Sequence, residues 1–178
     1  KLTHAGGFGI NMSIETIQDL LNIEIDNYVK VRFESLVGIV DQIGGIDVNN
    51  DVAFNSGKYY FAAGNIHLNG EKALVYARTR KGLENGDKDR GKHQELVIKA
   101  IINKVTTDRS ILLNYSQIMT RMSHLFQTDI EDETFKMYVK DQLETMEEWN
   151  INSISTNYTG IKAETLSIPG KKIFVGIP

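Results

Sequence analysis

Apolar and polar positions along the chain fall alternately into helical and strand periods. Ile14, Ile17, Leu20 and Leu21 recur at helical spacing behind Ser13, a capping residue, with Glu15 in the first turn. From Tyr28 to Phe33 the period shortens to two. Val29, Val31 and Phe33 face one way and Lys30 and Arg32 the other, which predicts a half-buried strand. Leu36, Val37, Val40 and Ile43 restore the helical period until Gly44-Gly45 stops it. Ile46 and Val48 open another short strand. Residues 49–67 read as loop and hairpin, with turns at Asn55-Ser56-Gly57 and Ala63-Gly64-Asn65. Asn69 is placed to cap a helix over Gly70 to Ala77. After a charged stretch from Arg78 to Lys92, Val97, Ile98, Ile101, Ile102 and Val105 form the apolar stripe of a long helix beginning by His93. Ile111 to Phe126 and Phe135 to Met146 predict two more helices. Strands are predicted at Asn150–Thr156 and Lys172–Ile177, around a turn at Gly160.

Helices alternating with short strands predict an α/β domain of the layered α+β kind. The Ser13–Asn22 and His93–Val105 helices are expected to pack on one sheet containing the Tyr28–Phe33 strand. Val29, Val31, Phe33, Leu36, Val37, Val40 and Trp149 are assigned to the core. The chain has 178 residues, two prolines and no internal repeat, so residues 1–178 read as a single domain.

Composition narrows the chemistry. There is no cysteine, which removes thiol catalysis, thiolate zinc sites and disulfides. A net charge of −3 argues against a broad nucleic-acid grip. No apolar run approaches the ~20 residues of a membrane span. No HExxH or Gly-x-Ser-x-Gly pattern occurs, so zinc and serine hydrolases are disfavoured. His4, His67, Asp41 and Asp47 read as structural, the two aspartates as turn and cap residues beside Gly44-Gly45.

The segment from Arg78 to Gln94 carries the chemistry. Arg78 and Arg80 are two apart, so in an extended segment both guanidiniums leave one face and form a fork-shaped receptor for phosphate oxygens. If a helix starts near Asp87, Arg90 and Gln94 lie one turn apart on one face. A carboxylate among arginines suits a divalent cation on a diphosphate, or a proton transfer. The competing reading is a solvated loop, with Asp87 and Arg90 an ordinary helical pair and His93 a surface residue.

Beyond these local patterns, the chain resembles the LytR-CpsA-Psr family, which attaches glycopolymers to the Gram-positive cell wall. The resemblance rests on five ordered stretches. They are Lys1-Leu2-Thr3-His4-Ala5 with its Gly-rich sequel, Ile25-Asp26-Asn27-Tyr28-Val29-Lys30-Val31, and Val40-Asp41-Gln42-Ile43-Gly44-Gly45-Ile46-Asp47-Val48. Then come His67-Leu68-Asn69-Gly70-Glu71-Lys72-Ala73-Leu74-Val75-Tyr76-Ala77-Arg78-Thr79-Arg80 and the Asp87, Arg90, Gln94 pattern. The dense match covers residues 1–105.

The resemblance implies a mixed β-sheet flanked by helices on both faces, enclosing an apolar pocket for a polyprenyl tail. It implies an extracytoplasmic phosphotransferase that moves polyprenyl-pyrophosphate-linked glycopolymer, of wall teichoic acid or capsule type, onto peptidoglycan. By the same implication Arg78 and Arg80 are catalytic and bind phosphate, Arg90 and Gln94 complete the head-group site, and Asp87 is a catalytic acidic residue, near the metal or the proton transfer, and the ligand of Mg²⁺. The alternative is a polyprenyl-phosphate-binding or cell-wall regulatory module without turnover. Two departures from the family pattern stand out. His93 occupies a position where many members carry Arg, which implies a weaker or pH-dependent anion affinity. Further Arg- and Asp-bearing strands, and a single-pass membrane anchor on the extracellular face of the cell membrane, are expected ahead of Lys1, making this chain an N-terminally incomplete domain.

Overall fold

The computed structural model describes residues 2–153, 159–165 and 168–177. They divide into two compact units, one made of Lys1–Asn27 with Ser153–Pro178 and the other of Tyr28–Asn152.

In the first unit, α1 (Leu2–Ala5) runs through a 3-10 turn (Gly6–Phe8) into α2 (Ile10–Leu21). The expected cap at Ser13 is not formed. The helix starts earlier, behind Gly9 at φ 112°, and Ser13 Oγ donates back to the Gly9 carbonyl at 3.2 Å from inside the first turn. Asn22 closes α2 in the left-handed region.

The second unit opens with β1 (Val29–Val31) and α3 (Phe33–Gln42), followed by β2 (Ile46–Asn50), β3 (Phe54–Ser56), β4 (Tyr59–Phe61) and β5 (Gly64–Leu68). Next come α4 (Gly70–Arg78), α5 (Asp87–Thr107), α6 (Arg109–Leu113), α7 (Tyr115–Met122), β6 (Phe126–Thr128) and α8 (Asp132–Thr145). In the first unit again, β7 (Thr159–Thr165) pairs antiparallel with β8 (Ile168–Ile177). Gly160 lies inside β7 rather than at a turn, and residues 150–153 are not strand. The remainder of the Asn150–Thr156 prediction falls outside the described residues.

The fold is mixed α/β, but among the described residues its strands form four separate antiparallel pairs: β1–β6, β2–β5, β3–β4 and β7–β8. The strand at Val29 therefore does not share a sheet with Ile46. Its burial is also not as expected: Val29 is 57% exposed, Val31 43% and Phe33 45%. Phe33 has left the strand to begin α3.

The core gathers where expected from the other patterns. Val40 and Ile43 of the α3 segment, Ile46 and Val48 of β2, Leu68 of β5, and Ala73, Tyr76 and Ala77 of α4 are buried, joined by Val97 of α5 and Met122 of α7. Burying an aliphatic or aromatic side chain fully contributes roughly 1.5–3 kcal/mol, so this cluster is the main source of stability. Trp149, assigned to the core from sequence, is 53% exposed, its indole Nε1–H donating to Gln142 Oε1 at 2.8 Å.

Three local devices fix α4 against its surroundings. Asn69 Oδ1 accepts from the Lys72 backbone N–H at 3.0 Å, the predicted cap. Asp41 Oδ1 accepts from the Gly70 N–H at 2.7 Å, tying the end of α3 to the start of α4. Gly70 itself meets Val37 backbone to backbone: a Cβ there would lie 2.2 Å from the Val37 carbonyl oxygen. Asp47 pairs across the β2–β5 ladder with His67, Oδ1 to Nδ1 at 2.8 Å, both side chains exposed. These contacts give Asp41, Asp47 and His67 structural partners.

Candidate functional site

The charged turn between α4 and α5 is built from its buried residue outward. Thr79 follows the last residue of α4 and is buried. Its hydroxyl donates to the Val75 carbonyl and shares a hydrogen bond with Ser56 Oγ, each at 2.7 Å. With Thr79 turned inward, the flanking Arg78 and Arg80 are both left exposed. Arg78 ends the helix, where a cation is favoured by the unsatisfied carbonyls. Its guanidinium lies 5.5 Å from the Phe33 ring centroid, a cation–π contact between α4 and the start of α3.

On the facing side, α5 starts at Asp87, earlier than the His93 start its apolar stripe predicts, and so meets the condition that sets Arg90 and Gln94 one turn apart. Gly86, at φ 52°, precedes it, and the space where its Cβ would stand is 3.9 Å from Arg80 Cγ. The Arg80 stem thus packs against the start of α5. Asp87 Oδ1 accepts from Arg90 Nη2 at 2.7 Å, an i,i+3 pair with both side chains partly in water. One turn on, Gln94 Nε2 donates to the Ala77 carbonyl at 3.2 Å. Gln94 therefore ties α5 to the arginine-bearing end of α4. Arg90 Nε is buried without a hydrogen bond of its own.

The structure thus brings the C-terminal end of α4 and the N-terminal turns of α5 together, with Arg78 and Arg80 on one and Asp87, Arg90 and Gln94 on the other. None of these five residues lines the cavity beside the turn. The nearby cavity of about 370 Å³ is lined by Asn50 to Phe54, Tyr76, Gly82 to Asn85, Asp89, Lys92, His93 and Leu96. The geometry is that of an open, arginine-bearing turn suited to a phosphate-bearing head group, with the Asp87 carboxylate paired to Arg90.

The donor set bears on how a metal could be held at the turn. Among the described residues no group of three His, Asp or Glu side chains converges. Asp87, already bonded to Arg90, is one oxygen donor. That fits Mg²⁺ arriving on substrate phosphates, which commonly needs only one or two carboxylates, and does not fit an all-protein cage.

Several residues around the turn escape sequence reasoning. Phe33, read as a strand residue, is the platform for Arg78. Asn50 is buried at the end of β2, donating to the Val52 and Ala62 carbonyls and accepting from the Tyr76 hydroxyl at 3.0 Å. Burial pushes the Tyr76 phenol up to about 12. His93 is neither a surface residue nor an anion ligand in the turn: it is buried between Tyr76 and Phe54. A polar residue ending a strand of alternating burial is the signal that marks Asn50. No local signal marks His93, because its neighbours come from α4 and β3. Asp89 Oδ2 accepts from the Asn85 N–H at 2.9 Å, which holds its carboxyl below the usual range.

Comparison with known proteins places these features in context. The model of the LytR_cpsA_psr family matches residues 1–173. A polyisoprenyl-teichoic acid–peptidoglycan teichoic acid transferase TagU of Bacillus cereus is 38% identical over 155 residues, covering 85% of this chain and 51% of the relative. Its namesake in Enterococcus faecalis is 38% identical over 142 residues, 79% of this chain and 46% of the relative. The chain spans about half the length of these curated relatives. Among solved structures, B. subtilis TagU superposes with a TM-score of 0.74 at 29% identity, over 99% of this chain and 70% of that one. The Lin1025 protein of Listeria innocua gives 0.82 at 27% identity, over 100% and 74%.

Proposed function

This chain belongs to the LytR-CpsA-Psr family, and on that premise we propose that it forms part of an enzyme transferring a polyprenyl-pyrophosphate-linked glycopolymer, of the teichoic acid class, to peptidoglycan. The observation that carries the proposal is the turn in which Arg78 ends α4, Arg80 follows it, and Asp87, Arg90 and Gln94 open α5.

In the transfer, a wall-sugar hydroxyl oxygen bonds to the glycopolymer-bearing phosphorus. The bond from that phosphorus to the bridging oxygen breaks, polyprenyl phosphate leaves, and the hydroxyl loses its proton. Charge builds on the phosphoryl oxygens, where guanidiniums are worth most. Arg78 and Arg80 are assigned to these oxygens and Arg90 and Gln94 to the head group. Arg78 is held on Phe33 and Arg90 on Asp87, so both are partly organised before substrate arrives. Asp87 is assigned to receive the proton or to hold Mg²⁺, which when bound with the pyrophosphate supplies Lewis-acid neutralisation of its charge. This activity belongs at the cell envelope, outside the membrane. A single-pass anchor of the whole protein is part of this proposal; among the described residues no helix is long and apolar enough to cross a membrane.

The ion pair between Asp87 and Arg90 favours a second reading. A carboxylate oxygen already held by a guanidinium is less free to coordinate a metal, as in a module that binds polyprenyl phosphate without turnover. Transfer of glycopolymer to peptidoglycan fragments by the whole protein, with Mg²⁺ titrated, separates the two. Under the transferase reading, Arg78→Ala, Arg80→Ala and Arg90→Ala each lower transfer by on the order of 10–100-fold, the worth of a charge-assisted bond. Asp87→Ala flattens the Mg²⁺ response. Near-parental rates in the arginine variants would remove the site assignment, and phosphate binding without any product would favour the second reading.

A further inference from the structure

On another face of α5 lies a titratable group that the transfer does not use. The ring of His93, 7% exposed, stacks on Tyr76 of α4 with centroids 4.2 Å apart and on Phe54 of β3 at 4.9 Å. Phe61 of β4 meets both of these rings and closes the cluster. His93 Nδ1 is buried and makes no hydrogen bond. A neutral imidazole tolerates this slot. An imidazolium donates from both nitrogens, and Nδ1 has no acceptor there.

The ionisable groups that face the ring come from three elements. They are Tyr76 from α4, Asp51 from the β2–β3 connection, and Asp89 and Lys92 from α5 itself. Lys92 and Asp51 are paired to each other, and Asp89 is engaged by Asn85. Burial holds the imidazole below its ordinary value. The Tyr76 backbone, Asp89 and Asp51 pull in the other direction, and Lys92 adds to the lowering.

The position of this slot gives it a consequence for the turn. Tyr76 stands two residues before Arg78, and Gln94, next to His93, holds the Ala77 carbonyl. Whatever fills the slot sets the spacing between the arginine-bearing end of α4 and the start of α5. We infer that His93 is a positioning residue: its neutral ring wedges α4 against α5, and its protonation loosens that junction and weakens anion binding at the turn. The anion-binding clause rests on the function proposed above; the wedge does not.

The sign follows from linkage. The folded chain resists protonation more than the unfolded chain, in which histidine titrates near ~6.5. The stability contributed by the neutral ring is complete above that value. It is lost as pH falls from there through the lowered folded value.

Two measurements test this. In the first, imidazole and backbone amide NMR signals of the parent chain are followed between about pH 8 and pH 5. The Arg78, Thr79 and Arg80 amides should shift with the same midpoint as the His93 ring. Amides that stay still through that midpoint would overturn the wedge. In the second, binding of inorganic pyrophosphate with Mg²⁺ is measured for the parent and His93→Phe, whose ring fills the slot and does not titrate. The ratio of the two affinities at each pH cancels the titration of pyrophosphate itself. It should stay within about twofold near pH 8 and reach about fivefold or more, in favour of the variant, near pH 5.5. A ratio independent of pH would overturn the proposal. If pyrophosphate binds at no pH while the amides shift with His93, the positioning role is supported and the function proposed for the turn fails.

Discussion

The β2–β5 and β1–β6 ladders are built alike and meet different surroundings. Each is an antiparallel pair, and in each a strand carries apolar residues at every second position: Ile46 and Val48 in β2, Val29 and Val31 in β1. In β2 the burial alternates strictly, and the inward residues join side chains of α3, α4 and α5 in one cluster. In β1 all three residues are exposed. Alternation thus specifies that a strand has two faces. Whether a second layer covers one of them depends on what the rest of the chain brings to it. The β2–β5 pair is scaffold, held under the helices that carry the charged turn. The β1–β6 pair hands the chain to α3 through Phe33, the ring on which Arg78 rests.

Substitutions in the two ladders should separate them widely in chemical unfolding. Ile46→Ala removes a fully buried side chain and should cost about 2–5 kcal/mol. A cost below about 1 kcal/mol would mean that β2 is no more essential than β1. Tyr76→Phe probes the same scaffold more gently. It strips the hydroxyl from buried Asn50 Oδ1 and should cost about 1–2 kcal/mol, read by the same method. Val31→Thr, on the exposed ladder, should fall within about 0.5 kcal/mol of the parent. A larger loss there would show that β1 is covered in solution, and the contrast between the ladders would collapse.

Much of the scaffold is legible in the sequence because it is made of short-range signals. The helix of Leu36 to Ile43 ends at Gly44 and Gly45, both at positive φ, and Ile46 starts a strand directly after them. The Asn69 cap likewise depends on a neighbour a turn away, whereas α5 starts at Asp87, ahead of the apolar stripe that marks it in sequence from His93. Other features depend on distant partners or on a kink the periodicity does not register. Ile111 to Phe126 reads as one helix, yet the chain breaks at Asn114 and ends in β6. Asn114 Nδ2 donates to the Ser110 carbonyl at 2.9 Å and closes α6, while the apolar stripe resumes nearly in phase in α7. In the turn, the residue types and the junction of α4 with α5 were readable. The Phe33 platform and the His93 slot were not, since each joins residues far apart in sequence.

The close meeting of Gly70 with Val37 has a consequence for sequence drift. Core side chains can exchange for others of similar volume, with small shifts of the elements they separate. The start of α4 is spaced from α3 by main-chain atoms alone, and the Asp41 carboxylate caps the same contact. Replacements among Val40, Ile43 and Ala73 can therefore accumulate without moving that origin. The helix that ends at Arg78 is measured from a fixed point. Lineages diverging in their hydrophobic interior are expected to keep Arg78 at the same distance along α4, with Arg80 just beyond its end.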